Sequence, residues 1–151
     1  MGENVILVAG LPGSGKTTLL CRLSHDGWLV FDDYKAGGPE LIFRSSPKLR
    51  DLIGALRAGF RCAVADIDFY ETRSREEAEG ILLEEVPGLK LRWRFFENDA
   101  PACEADIRSR NRSCFQDELG YLRRYSPSYR IAQNADVLPV LRKSAGCETK
   151  N

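Results

Sequence analysis

The chain has 151 residues, of which 43% are hydrophobic, and its 22 lysines and arginines balance its 22 aspartates and glutamates. A chain of this size can bury one core, and its balanced charge gives no general attraction to nucleic acid or to an anionic membrane, so a site for a polyanion must be local. The sequence has neither an apolar run long enough to span a membrane nor a basic segment ahead of an apolar N-terminal stretch, which predicts a cytoplasmic protein without a membrane partner.

Strand-like and helix-like segments alternate along the chain. Residues 5–9 form an apolar run typical of a strand buried on both faces, and residues 16–25 follow with leucines at helical spacing. The alternation continues with strands at 28–31, 62–67, 89–96 and 135–141, and with helices at 46–59, 74–86, 101–112 and 117–125. Ser74 and Glu77 fit a capping box for the third helix, and Pro139 favours a sheet edge for the last strand.

These elements predict one domain over residues 1–142 and a frayed tail over 143–151. Five scattered cysteines without a C-x-x-C pair argue against a zinc site and against a disulfide framework, so reduced thiols are expected. Five strands separated by helices predict a three-layer α/β/α fold with a mainly parallel five-stranded sheet. Polar residues follow four of these strands, and ligands bind at the carboxyl ends of strands in such sheets, so the chemistry is expected to converge at one edge.

The stretch GLPGSGKT at residues 10–17 fits the phosphate-binding pattern G-x-x-x-x-G-K-[ST], with a strand before it and a helix after it. Its glycines allow backbone conformations that turn successive N–H groups toward a phosphate at a helix N-terminus. Lys16 supplies a movable cation for the terminal phosphates, and the Thr17 hydroxyl can ligate Mg²⁺. The residues expected to bind the nucleotide are Gly10, Leu11, Pro12, Gly13, Ser14, Gly15, Lys16, Thr17 and Thr18.

Acidic residues at the strand ends are candidates for holding the metal and for moving a proton. Asp66 stands where such proteins hold a carboxylate near the metal, with Asp68 as the second candidate. Asp32 or Asp33 can serve as general base for an acceptor hydroxyl; adjacent side chains on a strand point to opposite faces, so only one faces the substrate. The alternative is structural, with acids that end a strand or form a turn.

Three arginines lie close together in the predicted helix at 101–112. Arg108 and Arg112 are four residues apart and share a face if the helix runs through both, whereas Arg110 points elsewhere. A pair of arginines on a mobile segment can clamp the transferred phosphoryl group and exclude water. The alternative is a basic face exposed to solvent.

Four segments resemble small P-loop kinases, in particular the 5′-kinase domain of polynucleotide kinase and its bacterial relatives. The segments are GLPGSGKTT at 10–18, DDYK at 32–35, AVADID at 63–68 and DIRSRNR at 106–112, and their order and spacing agree across about residues 4–141. The resemblance implies a P-loop NTPase fold with a short helical lid, and ATP as the phosphoryl donor. It prefers Asp32 as the base and makes Lys35 a contact for substrate or phosphate. Asp66 falls on the family's acidic strand end, and Arg108 and Arg112 fall on its lid arginines.

The leading interpretation is an ATP-dependent kinase in which Lys16, Asp32, Arg108 and Arg112 are catalytic. Thr17 and Asp66 are then expected to hold Mg²⁺. The acceptor is left open among small metabolites, nucleosides or nucleotides, and polynucleotide 5′ ends, and no obligate protein partner is inferred. A second interpretation is an ATP-binding or ATP-hydrolysing regulatory module that switches a protein partner. A third is a degenerate loop that binds no nucleotide.

Overall fold

A computed structural model describes residues 2–35, 42–110 and 112–141, and its centre is a parallel sheet. The sheet has the strand order β2-β3-β1-β4-β5. Its strands are β1 (Val5–Ala9), β2 (Leu29–Phe31), β3 (Cys62–Ala65), β4 (Leu91–Phe96) and β5 (Asp136–Leu138). All four pairings between neighbouring strands are parallel, so every strand ends at the same edge of the sheet. The parallel five-stranded sheet expected from the sequence is thereby confirmed.

Helices cover both faces of the sheet. They are α1 (Lys16–His25), α2 (Leu49–Arg57), α3 (Thr72–Glu85), α4 (Ala100–Arg110) and α5 (Phe115–Tyr125). Ile6 and Val8 of the central strand face the leucines of α1, whereas Val5, Leu7 and Ala9 face the apolar side chains of α2, α3, α4 and α5. This alternation along one wholly buried strand produces the three-layer α/β/α fold.

Several boundaries differ from those expected. The third helix begins at Thr72, so Ser74 lies inside it and the capping box predicted from Ser74 and Glu77 is wrong. Arg75 instead donates from its guanidinium to the carbonyl oxygens of Phe69 and Tyr70, in the 3₁₀ turn before the helix. The fifth strand does lie at a sheet edge, as Pro139 suggested, but only residues 136–138 pair with β4.

Other expectations concern the ends of the chain and the cysteines. The predicted tail at 143–151 lies outside the described residues. Cys62, Cys103 and Cys114 are free thiols, but Cys21 is disulfide-bonded, so the expectation of reduced cysteines is wrong at that position. Across the described residues, every helix is too short or too polar to cross a bilayer.

Tyr129 ties together the ends of two neighbouring strands. Its hydroxyl lies 3.3 Å from the carbonyl oxygen of Ala9, the last residue of β1, and donates to the carbonyl oxygen of Phe96, the last residue of β4. The side chain is buried and its ring packs against Phe95, with the ring centroids 6.2 Å apart. Burial raises the pKa of Tyr129, so the hydroxyl keeps the proton that it donates.

We expect Tyr129→Phe to lower the free energy of unfolding by about 1–3 kcal/mol, because it leaves buried carbonyl oxygens without their donor. Urea denaturation measures the change. Tyr121→Phe removes the same hydroxyl from a side chain that is 49% exposed, and it should change stability by less than about 0.5 kcal/mol. Equal effects of the two substitutions would show that the Tyr129 hydroxyl does not stabilise the strand ends.

Candidate functional site

The glycine loop (residues 10–17) connects β1 to α1 and is held tightly by its surroundings. Gly13 and Gly15 have φ angles of +82° and +109°, in the region that favours glycine. A Cβ at Gly13 would overlap the carbonyl oxygen of Cys103 in α4, and one at Gly15 would lie 2.7 Å from Cβ of Leu141. The backbone N–H of Leu141 donates to the carbonyl oxygen of Ser14 at 2.8 Å. The loop therefore requires glycine for both conformation and space.

Lys16 is folded back over its own loop. Its ammonium donates to the carbonyl oxygens of Gly10 at 2.6 Å and Leu11 at 3.1 Å. Burial lowers the pKa of Lys16 to about 8, and the nearby carboxylates of Asp32 and Asp66 act against that shift. Lys16 thus places a half-buried positive charge against the carbonyl oxygens of its own loop.

A cavity of about 170 Å³ opens beside the loop. From the loop and the start of α1 it is lined by Pro12, Gly13, Gly15, Lys16, Thr17 and Thr18. From the opposite side it is lined by Asp106, Arg110, Arg112 and Glu118. The other residues expected to bind the nucleotide, Gly10, Leu11 and Ser14, are buried beneath this surface. The cavity therefore brings together six of the nine residues expected to bind the nucleotide and two of the three arginines.

The arginines are arranged differently from the expected helix face. The fourth helix ends at Arg110, so Arg112 lies beyond it and the four-residue spacing no longer puts Arg108 and Arg112 on one face. Arg108 is 3.6 Å from a carboxylate oxygen of Glu104, is more than half exposed, and does not line the cavity. Arg110 does point away from Arg108, as expected, but it lines the cavity together with Arg112, so the predicted pairing of Arg108 with Arg112 is replaced by a pairing of Arg110 with Arg112. The predicted position of Arg112 differs from the observed one because α4 ends two residues earlier than expected.

Asp32 is in contact with the glycine loop. The Thr17 hydroxyl donates to Asp32 Oδ2 at 2.7 Å, and the backbone N–H of Asp33 donates to Asp32 Oδ1 at 2.9 Å. Asp33 has a φ angle of +46° and an exposed side chain, so of the two neighbouring acids it is Asp32 that reaches the loop. Lys48 donates to the backbone carbonyl oxygens of Asp32 at 2.6 Å and of Asp33 at 3.2 Å. No sequence pattern pointed to Lys48, which fixes this turn from the segment that leads into α2.

Two further acids lie at the end of β3. Asp68 forms an ion pair with Lys35, and only 12% and 9% of the two side chains are exposed. Asp66 is buried, and its Oδ2 atom has no hydrogen-bond partner among the described residues. Burial raises the pKa of Asp66 to about 6, and the charge of Lys35 acts against that shift. Lys35 is therefore neutralised by Asp68, while Asp66 retains an oxygen that can accept a ligand.

The acidic segment after β4 has a structural role. Asp99 Oδ1 accepts a hydrogen bond from the backbone N–H of Ala102 at 3.1 Å, which satisfies a free donor at the start of α4. The side chain of Asn98 donates to the carbonyl oxygen of Ser126 at 3.0 Å. Of the polar strand ends, those after β1, β2 and β3 supply the site, and the one after β4 anchors the helices.

The oxygen and nitrogen atoms that these elements bring together suit a magnesium nucleotide. The Thr17 hydroxyl, the Asp32 carboxylate and the free oxygen of Asp66 are the oxygen donors that Mg²⁺ prefers. In the described ranges, no three His, Cys, Asp or Glu side chains are grouped to hold a metal by themselves, so phosphate oxygens and water would have to complete its shell. The loop backbone and the two cavity arginines suit phosphate oxygens.

We expect Gly13→Ala to lower the free energy of unfolding by about 2 kcal/mol or more, because it combines an unfavourable φ with overlap against α4. Gly54→Ala is the matched control, since Gly54 lies inside α2 and a Cβ there meets no atom of the described chain within 4 Å. That substitution should raise stability by about 0.5–1 kcal/mol. Urea denaturation measures both, and destabilisation of equal size would contradict the assignment.

The pKa of Asp66 predicts a pH dependence of stability. The folded-state pKa of about 6 lies above the ordinary value of 3.8, so the folded protein binds this proton more tightly than the unfolded chain does. Ionisation of Asp66 then costs stability as the pH rises from about 4 to about 6. Wild-type protein should therefore lose about 2 kcal/mol of unfolding free energy through Asp66 between pH 4.5 and pH 7, and Asp66→Asn should abolish that loss. Urea unfolding in EDTA measures the free energy at each pH. Asp51→Asn, at an exposed position in α2, is the control, and its free energy of unfolding should depend on pH as that of wild type does.

Comparisons with known proteins show the fold of the chain. No family model matches it, and no curated protein matches its sequence. The crystal structure of APE1195 is 19% identical, with a TM-score of 0.58 over 91% of this chain and 85% of that one. An unliganded sugar kinase from Janibacter sp. HTCC2649 is 17% identical, with a TM-score of 0.54 over 91% and 84% of the two chains. An uncharacterized protein from Eubacterium ventriosum ATCC 27560 is 13% identical, with a TM-score of 0.51 over 92% and 89%. The chain shares its α/β/α architecture with these three proteins.

Proposed function

We propose that the protein is an ATP-dependent phosphotransferase of the P-loop kinase type, which transfers a phosphoryl group to a hydroxyl of its acceptor. One observation carries the proposal: the glycine loop, with Lys16 and Thr17, shares a cavity with Arg110 and Arg112 while Asp32 contacts Thr17. Groups that bind phosphate thus stand beside a carboxylate that can accept a proton.

The loop and the arginines form the part of the site that binds the phosphates. Backbone N–H groups at the start of α1 and the ammonium of Lys16 provide positive charge from one side. Arg110 and Arg112 provide it from the other side of the cavity. Lys16 now donates to carbonyl oxygens of its own loop, and rotation of its side chain would redirect it to phosphate oxygens. Charge that develops on the transferred group is then stabilised from two directions.

The carboxylates of Asp32 and Asp66 form the part of the site that receives the acceptor hydroxyl and the metal. Asp32 orients and deprotonates the acceptor hydroxyl, and its own orientation is fixed by Thr17 and by the turn that Lys48 holds. Thr17 and Asp66 are the residues that would hold Mg²⁺. When bound, ATP supplies the phosphoryl group, and Mg²⁺ offsets the charge of its phosphates. The acceptor remains one of three classes: a small metabolite, a nucleoside or nucleotide, or a polynucleotide 5′ end. A sugar kinase among the proteins of similar fold is compatible with a hydroxyl acceptor.

Asp32→Asn should abolish transfer while nucleotide binding persists. We expect at least about a 100-fold loss of labelled phosphate transferred from ATP to an acceptor, because amide cannot take the hydroxyl proton. The first step is a screen of nucleosides, oligonucleotides and hydroxylated metabolites with wild-type protein. Asp33→Asn is the control, since the exposed neighbour should leave transfer within about threefold of wild type.

Thermal stability in ATP and Mg²⁺ measures binding, which must raise the melting temperature if nucleotide binds the folded state. No rise with wild-type protein would overturn the proposal in favour of a loop that binds no nucleotide. ATP consumption that no acceptor accelerates would favour the regulatory module. Loss of Mg²⁺-dependent binding in Asp32→Asn would assign Asp32 to the metal and remove it from the base role.

A further inference from the structure

We propose that Glu118 sets the affinity of the site for its phosphate ligand: its carboxylate holds Arg110 and Arg112 in the free protein, and phosphate must displace it. The inference rests on the proposed function in so far as the ligand is a nucleoside triphosphate. No pattern in the sequence pointed to Glu118. It lies in the first turn of α5 and lines the same cavity as Lys16 and Thr17.

The contacts of Glu118 link it to both arginines. The guanidinium of Arg112 donates to Glu118 Oε1, and a guanidinium nitrogen of Arg110 lies 3.9 Å from Glu118 Oε2. The side chains of Arg110, Arg112 and Glu118 are 16%, 32% and 18% exposed. At this depth solvent screens the charges less than it does on an open surface, so the pairing competes effectively with other anions.

The arginines are incompletely satisfied by this carboxylate. Within the described part of the chain, the Nε atoms of Arg110 and Arg112 and the Oε2 atom of Glu118 are buried without a hydrogen-bond partner. A guanidinium has five N–H donors, whereas one carboxylate shared by two guanidiniums can accept from few of them. Phosphate groups carry more oxygens and more charge, and they can satisfy two guanidiniums together. A phosphate group can therefore replace the Glu118 carboxylate as the partner of the two guanidiniums.

The charges that line the cavity support the proposal that Glu118 competes with the ligand for the arginines. Lys16, Arg110 and Arg112 bring three positive charges, against two negative charges from Asp106 and Glu118. Asp106 precedes Arg110 by one helical turn in α4, with a carboxylate oxygen 3.7 Å from a guanidinium nitrogen. Glu118 comes from a different helix, so Arg110 and Arg112 can leave it without breaking α4. A ligand in this cavity meets the negative charge of Glu118 and must exchange with it.

Glu118→Gln tests this directly, because it keeps the size of the side chain and removes its charge. Calorimetric titration with inorganic triphosphate, and separately with ATP, each with Mg²⁺, should show binding roughly three- to tenfold tighter than wild type. Asp117→Asn is the matched control. It makes the same change of charge in the same first turn of α5, at an exposed position outside the cavity, and should change affinity by less than about twofold.

A second substitution identifies the cause of the gain. If Glu118 acts by occupying the two arginines, Glu118→Gln should gain clearly less affinity in an Arg112→Gln background, where only its longer contact with Arg110 is left to release. An equal gain in both backgrounds would show that Glu118 acts only through general repulsion, which overturns the exchange. Unchanged or weaker binding by a folded Glu118→Gln would overturn the proposal while leaving the proposed function intact. If wild type binds neither ligand, the proposed function fails as well.

The exchange can also be followed without any substitution. In wild-type protein, the side-chain Nε–H signals of Arg110 and Arg112 should shift in NMR spectra when inorganic triphosphate and Mg²⁺ are added, since the buried Nε atoms gain acceptors. Signals that do not move at saturating triphosphate would show that neither guanidinium changes partner, and the proposal would fail even if Glu118→Gln does not fold.

Discussion

The close approach of the glycine loop to α4 is the constraint on which the rest of the site depends. Gly13 lies so near the carbonyl oxygen of Cys103 that no side chain fits between them. This contact sets how far α4 stands from the loop, and therefore where Arg110, at the end of the helix, can reach. It also fixes the backbone that leads into Lys16 and Thr17. Loop conformation and placement of the arginines are thus consequences of one packing contact between a strand–helix turn and a neighbouring helix.

The residues closest together in sequence were the easiest to predict. The strand at 5–9, the loop and the helix at 16–25 follow from an apolar run, three glycines and leucine spacing, and the structure has these boundaries. The acids at 32–33 and 66–68 follow from parallel topology, which brings strand ends together wherever they lie in the chain. Local pattern and topology therefore suffice for the loop and for the acidic edge.

The arginines and their partners could not be derived in the same way. Arg108 and Arg110 are two residues apart on α4, which separates them by more than half a turn, so the packing of the helix decides which of them faces the cavity. The end of α4 at Arg110 in turn decides where Arg112 lies. Lys48 reaches carbonyl oxygens of residues 32 and 33, and Glu118 reaches across from another helix. Such contacts depend on tertiary packing between elements, which spacing within one element does not encode.

Tyr129 and Cys103 have a joint consequence for the segment between them. At one end, α4 is fixed by the contact of Cys103 with Gly13; at the other, Tyr129 is fixed to the carboxyl ends of β1 and β4. Arg110, Arg112 and Glu118 all lie between these two anchors. Between these anchors, Ile107, Leu119 and Leu122 are buried in the core, so α4 and α5 are held along their lengths as well. A change of partner by Arg110 and Arg112 therefore requires only rotation of their own side chains, while the helices, the strands and the glycine loop keep their positions.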